Sequence, residues 1–488
     1  MTSLTTDIKI VDHGTIVDDF KVRKLLQDRA SVAETGQLGG SNTRLAIASV
    51  PRDLAKPSVD NIQVDTFVLD GNREYSQGAL RKDLSLMQGI TGLVIQNAHE
   101  LARNLKMIFG FSGAPTSNAK FMERCAATNL AFMEQPGTFY LPNVRVVDVE
   151  GQSANLLNLP DFIHKSYVGD LKSSFKFENK DGVENQTWSP AKEKLSDEQR
   201  SVAVKVVNDA VAHVRFQADN YSQGASLFHL VMSTGTNLGI GYNKQDDELG
   251  NFEQTINTEA GHIAFADLLE QGVESPLVLR WKKLENPSFE TIMAGGNSAS
   301  PERGLAGLVR DLRAHANDND LLFTHQFVDR ANGGHYADAI NLATGDTYIP
   351  DEVVKSSSLI KDDVKGDMNQ AIEVAAINGD PLAKVLIAIW SRDLADVLNS
   401  LAAKTKQEQG IAAETKFNLS VNGSLAYGIL DNPVQELDFA KTILTMNLNK
   451  QDFITDLDHA IAISRPAAEM DGLVEQAYKF AVAAVQAA

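Results

Sequence analysis

The chain has 488 residues, 43% hydrophobic and 22% charged, with 45 Lys and Arg against 64 Asp and Glu, a formal net charge of −19. That length supports two or three domains with sizeable cores, and the acidity, unbroken by any dense basic stripe, excludes nucleic acid as an expected partner. A single cysteine, Cys125, excludes an intrachain disulfide and a cysteine-based zinc cluster; with no signal-peptide pattern in MTSLTTDIKIVDH and no bilayer-long apolar run, no membrane partner is expected and a reducing cytoplasm is the expected location.

In chain order, DDFKVRKLLQDRA predicts a helix in an N-terminal segment, residues 1–30, expected to pack on the larger of two domains. SVAETGQ, TRLAIASV and NIQVDTFVLD then have strand length and turn punctuation. LMQGITGLVIQNAHELARNL has apolar residues at helical spacing, KMIFGFSGAP reads as a fourth strand, SNAKFMERCAATNLAFME as a second helix and VRVVDV as a fifth strand. The order βββαβαβ is that of a three-strand meander joined to parallel crossover strands. Cys125 falls on the second helical pattern, where a small buried apolar residue is the plain reading.

The polar stretch 176–199 reads as an exposed excursion, and EQRSVAVKVVNDAVAHVRFQA after it as a long helix. ASLFHLVMS, TNLGIGYNK and FEQTINTEAG restart the three-strand pattern. Helices dominate from about 300 onward, PLAKVLIAIWSRDLADVLNSLAAKTKQ the longest, until KFNLSVNGSLAYGIL supplies a strand and a glycine turn. No short-period repeat is present; what recurs is a half-molecule opening on strand, glycine turn and strand. The expected division is a small domain over 31–150, completed by a C-terminal helix at about 465–488, and a large domain over 151–464.

The two opening turns carry the chemistry. In QLGGSNTR, Gly39 and Gly40 open backbone angles closed to other residues and let a ligand approach the main chain. Successive amide N–H groups there form an anion-binding concavity, to which Ser41 and Thr43 add hydroxyls. Ser233-Thr234-Gly235-Thr236-Asn237 offers the same equipment. Each alone reads as an ordinary hairpin turn. Two of them, facing each other across a cleft, would clasp a polyphosphate.

These stretches resemble the hexokinase and glucokinase family, of the actin-like ATPase fold. LGGSNTRLAIA resembles the family's first phosphate motif, DxGGTNxR, and STGTNLGIGY its second, GTGxNxxY. INTEAGHIAF is similar to the INTEWGAF stretch that holds the sugar, NPSFETIMAGG to FEKMISG, and SVNGSLAYG to the VDGSxY adenosine segment. The CxCGxxGC zinc motif of the related repressor and sugar-kinase group is absent, which points away from that branch. The resemblance implies an α/β chain of duplicated RNase H-like domains, each a mixed five-stranded sheet with flanking helices, separated by a cleft. It implies ATP-dependent phosphorylation of a hexose, glucose first, at the 6-hydroxyl, with Mg²⁺ carried on the nucleotide. By the same resemblance Gly39, Gly40, Ser41, Asn42, Arg44, Thr234 and Gly235 hold the phosphates, and Gly423 and Ser424 form the adenosine turn. Asn237, Asn257, Glu259, Glu290, Thr128 and Asn129 line the sugar pocket, where carboxylates suit a ligand rich in hydroxyl donors.

The family's proton acceptor stands in VNDTVGT after the fifth strand, and VVDVEGQ aligns with Asp148 at that place; a slide of two residues nominates Glu150. His262 is open between a sugar contact and a structural hydrogen bond. Ser391 and Arg392, at the start of a stretch like the family's STRAA helix, fall near the nucleotide, though their helix also reads as an ordinary buried one. Departures are Gln37 for the family's first-motif aspartate, Val147 for an asparagine, Asn422 for an aspartate and no evident threonine-lysine pair before the fifth strand. An amide carries no charge to attract Mg²⁺. The sequence therefore leaves open an active hexose kinase, a catalytically weak sugar-binding regulator and a structural ATPase, each as a monomer or a homodimer.

Overall fold

A computed structural model of the chain describes residues 8–38, 43–54, 56–69, 83–98, 105–111, 138–140, 144–147, 153–154, 156–158, 175–179, 184–188, 203–208, 228–234, 238–244, 255–257, 275, 277–278, 293, 304–315, 335–345, 351–361, 368–422, 424–431, 434–454, 461–464 and 468–486. The chain is an α/β protein with mixed sheets and many helices. It opens with β1 (Lys9–Ile16), α1 (Phe20–Asp28), β2 (Arg29–Leu38), β3 (Thr43–Pro51), β4 (Gln63–Leu69), α2 (Asp83–Gln96) and β5 (Lys106–Phe111). Short strands follow as β6 (Thr138–Tyr140), β7 (Val144–Val147), β8 (Ser153–Ala154), β9 (Leu156–Asn158), β10 (Phe175–Asn179) and β11 (Glu184–Trp188), and then β12 (Ala203–Asn208). Next come β13 (Phe228–Thr234), β14 (Leu238–Lys244), β15 (Thr255–Asn257), α3 (Gly304–His315), α4 (His335–Thr344), α5 (Asp351–Ser356), α6 (Ser358–Lys361) and α7 (Met368–Ile377). The described elements end with α8 (Pro381–Gln409), β16 (Phe417–Asn422), α9 (Ser424–Leu430), α10 (Asp438–Asn447), β17 (Ile461–Ser464) and α11 (Ala468–Gln486).

The first large sheet has the order β1-β4-β3-β2-β5-β12, and another has the order β15-β14-β13-β16-β17. In the first, β3 is antiparallel to both neighbours while β2, β5 and β12 run parallel. In the second, β14 is antiparallel to both neighbours while β13, β16 and β17 run parallel. Apart from β1, the two sheets thus share one strand order and one set of directions. Such a layout follows from short meander turns and long crossovers, since parallel neighbours cannot be joined by a hairpin.

Four expectations are corrected here. The opening segment does not stand apart as a helix against the larger half: β1 adds a sixth strand beside β4, and α1 packs on α2 and β2. Its attachment is chemical as well as hydrophobic, for His13 Nε2 meets Asp65 Oδ1 at 2.8 Å and the His13 ring stacks on Phe67 at 4.6 Å between centroids, while Ile16, Val22 and Leu26 enter the core. VRVVDV does not supply the fifth strand, because Val144–Val147 pairs with β10 and β8 in a separate sheet of order β11-β10-β7-β8. The fifth strand is β12, drawn from the stretch read as a helix; its β-branched Val204, Val206 and Val207 favour an extended backbone beside β5. Part of the supposed polar excursion is the antiparallel β10–β11 pair, with Phe175 opposite Trp188.

Each of the two large sheets has its own buried cluster. Leu45, Ile47, Phe67, Ile90 and Val94 form the first together with Leu473, Val474, Ala477 and Phe480 from α11, so the end of the chain returns to cover β2 and β3. Thr35 Oγ1 fastens it by donating to the Leu473 carbonyl at 2.8 Å. The second cluster surrounds α8, whose Leu386, Trp390, Leu394, Val397 and Leu401 pack with Phe417, Leu419 and Val421 of β16. Local signals delimit α8 well: Asp380 Oδ1 accepts from the Ala383 amide, Pro381 occupies the first turn, and Gly410 closes the helix at φ 62°.

One turn before that glycine, Lys406 Nζ donates to Asp452 Oδ1 at 2.7 Å and to the Ala413 carbonyl at 2.8 Å, tying the helix end to the approach to β16. Both side chains are largely buried, so Lys406→Met strands the Asp452 charge. The expected loss is about 3–5 kcal/mol, read as a lower denaturant midpoint; the double change with Asp452→Leu is expected to recover most of it.

Candidate functional site

The site is built from strand ends. In the first sheet, Leu38 of β2 lies opposite Phe111 of β5, and Phe111 opposite Asn208 of β12. Three adjacent parallel strands therefore finish level, with Leu38 and Asn208 roughly 10 Å apart at two inter-strand spacings. Leu38 also pairs with Thr43, so residues 39–42 form the connection between β2 and β3 at that same edge. The carboxyl ends of parallel strands are where open α/β sheets bind ligands.

The second sheet repeats the arrangement. Thr234 ends β13 opposite Leu238, leaving residues 235–237 as the connection. Ser233 lies beside Asn422 of β16, and Asn422 beside Ser464 of β17. Thr234 and the Asn422–Ser424 step from β16 into α9 thus meet at one edge. Asn257, opposite Gly241, ends a strand whose direction is toward that edge. Four expected site residues, Thr234, Asn257, Ser424 and Arg44, fall among the described residues. Arg44 sits on β3 opposite Gln37, beside the first turn, and Gln37 is itself buried.

Gly39, Gly40, Ser41, Asn42, Thr128, Asn129, Asp148, Glu150, Gly235, Asn237, Glu259, His262, Glu290 and Gly423 lie outside the described residues, as does Cys125. The strand on which the Asp148 alignment was built belongs to another sheet, and that alignment loses its premise. The residue after Asn208 is Asp209, also outside the described residues. Val207-Asn208-Asp209 matches the VND of the family stretch quoted above, a match passed over because this stretch reads as a helix.

Ser391 and Arg392 occupy the middle of α8. Arg392 lies 3.3 Å from Asp396 one turn on, and the buried Ser391 hydroxyl has no hydrogen-bond partner. Their neighbour Trp390 is fully buried and donates from Nε1 to the Met293 carbonyl at 3.3 Å. Met293 belongs to the FETIMAGG stretch that begins with Phe289 and Glu290.

The electrostatics of the first sheet are unusual at two places. Burial pushes the Glu34 carboxyl up to about 8, against the opposing hydrogen bond from Thr91. Burial also lowers the Arg29 guanidinium, against the attraction of Asp65. Among the described residues no cluster of three or more His, Cys, Asp or Glu is placed to hold a metal ion, and no helix is long and apolar enough to cross a membrane.

No known protein family matches the chain, and no curated protein does. Among solved structures, the chain is similar to a glucokinase from Balamuthia mandrillaris in complex with glucose, at 13% identity over 95% of this chain and 100% of that one, with a TM-score of 0.42. It is similar to a glucokinase from an Antarctic psychrotroph at 13% identity over 93% and 99% of the two chains, with a TM-score of 0.39. A ROK family transcriptional regulator, a homolog of the E. coli MLC protein, matches at 14% identity over 94% and 82%, with a TM-score of 0.43. Superpositions this loose leave function to be argued from the chain's own residues.

Replacing Trp390 by Phe removes the donor to the Met293 carbonyl while keeping an aromatic ring. The expected cost is about 1–3 kcal/mol, rising to about 3–5 kcal/mol for Trp390→Ala, which adds a cavity; thermal melts of the two variants check the order.

Proposed function

We propose that the chain is an ATP-dependent sugar kinase built from two RNase H-like halves, transferring the γ-phosphoryl group to a hexose hydroxyl, with Asp209 rather than Asp148 as the proton acceptor. The observation that carries this reading is the level finish of β2, β5 and β12: the glycine turn follows the first of them and Asp209 the third.

The division of labour follows from the chemistry. Phosphoryl transfer asks for position, neutralised charge and a place for the leaving proton. The Gly39–Asn42 turn and Arg44, with Thr234 and Gly235 from the other half, hold the phosphates through backbone amides, hydroxyls and one guanidinium. Gly423 and Ser424 receive the adenosine. Glu259, Glu290, Asn237 and Asn257, with Thr128 and Asn129, accept and donate hydrogen bonds to the sugar hydroxyls. Asp209 takes the proton from the attacking hydroxyl as its oxygen bonds to the γ-phosphorus, and the bond to the ADP oxygen breaks. Mg²⁺, when bound to the nucleotide, supplies charge neutralisation. Gln37 fits that ion poorly as a direct partner, since an uncharged amide stands at the strand end, so Mg²⁺ would be held chiefly by phosphates and water.

That amide favours one other reading, a sugar-binding regulator that turns over weakly or not at all. Heat stability with glucose, with ATP and with both, alongside ADP release, separates the two: sugar-dependent stabilisation without sugar-dependent ADP release supports the regulator.

For the kinase, Asp209→Asn is expected to lower turnover about 10²- to 10⁴-fold with the glucose KM within a few-fold. Asp148→Asn is expected to retain near-native turnover in the same coupled assay, and the reverse ranking would return the role to Asp148.

A further inference from the structure

Glu34 is a carboxylic acid with no exposed surface, placed mid-strand in β2. Its Oε1 accepts from Thr91 Oγ1 of α2 at 3.1 Å, and its Oε2 has no hydrogen-bond partner. The adjacent Thr35 bonds to α11, so Glu34 points to the opposite face of the sheet, into the seam under α2. The same seam is stitched by Ser31 Oγ donating to the Val94 carbonyl. None of the chemistry proposed above uses Glu34.

The surroundings offer no compensating charge among the described residues. The register partners of Glu34 are Ile47 on β3 and Met107 on β5. From α2, Met87, Ile90 and Val94 are buried beside Thr91, and the helix's one ionisable residue is Asp83, at its start. The nearest acid along the same row of the sheet is Asp65, beyond Ile47, and it is taken by His13 and Gln63 and attracted by Arg29. Lys21, Arg23, Lys24 and Asp28 of α1, which packs on α2 and β2, are exposed. Lys106 of β5 sits over Phe480 of α11, on the other face of the sheet. From β11, which also touches α2, the acid is Glu184.

We propose that Glu34 and Thr91 form a proton-operated latch between β2 and α2: the neutral carboxyl seals the helix on the sheet, and loss of its proton releases the helix by drawing water to the unpartnered oxygen. A buried carboxylate without a counter-charge is costly, and opening the seam relieves that cost by hydrating it. The sign follows from the proton count. Closed, the group holds its proton until about pH 8; open, it releases it near the ordinary value of about 4.3. Between those limits the open form binds fewer protons, so closure weakens as pH rises through the window and levels off above it.

Hydrogen exchange of the α2 amides tests the latch without reference to any substrate. In the wild-type chain the protection of residues 90–95, corrected for the intrinsic rate, is expected to fall by up to about tenfold per pH unit between about pH 5 and 8. Glu34→Gln, which cannot ionise, is expected to flatten that profile and to raise the melting temperature at pH 9 by on the order of 5 °C while changing little at pH 5. Glu34→Leu serves if the amide packs badly, and it is expected to give the same flat profile. Parallel profiles for the wild type and both variants would overturn the latch.

Discussion

The parallel ladder between β2 and β5 is the constraint on which the arrangement rests. Because Leu38 stands opposite Phe111, the first glycine turn leaves the sheet at the same edge as the crossover strands. The further pairing of β5 with β12 adds Asn208 to that edge. A one-residue slip in either ladder would turn every side chain of the moved strand to the other face. Buried Val32, Ala33 and Thr35 resist a slip of β2, since that strand is covered by α1 and α2 and by α11. Position at the edge is thus a by-product of core packing, and the polar residues of the turns are carried to it by the apolar residues behind them.

The second sheet reaches the same end with different cover. There α8 lies behind β16, and its long apolar stripe holds Phe417, Leu419 and Val421 in place. Buried polar groups differ in how they are satisfied. Some, such as Lys406 with Asp452, are matched by partners that secure a loop. Glu34 is matched on one oxygen and not on the other, and such a group is retained at a cost in stability.

Much of this was legible in the residues. Alternation and glycine punctuation marked β2, β3, β4, β13 and β14, and apolar spacing marked α8 nearly to its ends. The failures have physical causes. AVKVVN sits in a longer stretch whose apolar residues satisfy helical spacing as well as strand alternation, and only pairing with β5 decides between them. FKFENKDGVENQTW looked solvated because polar residues outnumber apolar ones; the Asp181-Gly182 pair between Phe177 and Trp188 was the overlooked hairpin signal. The misplaced fifth strand bears most on the site, because Asp148 was nominated from a motif expected after that strand. Val146 and Val147 look as strand-like as Val206 and Val207, and tertiary context alone separates the two sheets.

The hydrogen bond from Thr35 to the Leu473 carbonyl joins residues 438 positions apart. Synthesis proceeds from the N-terminus at about 5–20 residues per second, so β2 and β3 leave the ribosome roughly 20–90 s before the helix that closes over them. During that interval the greasy underside of the earliest sheet has no permanent lid, and the half made first is the half finished last.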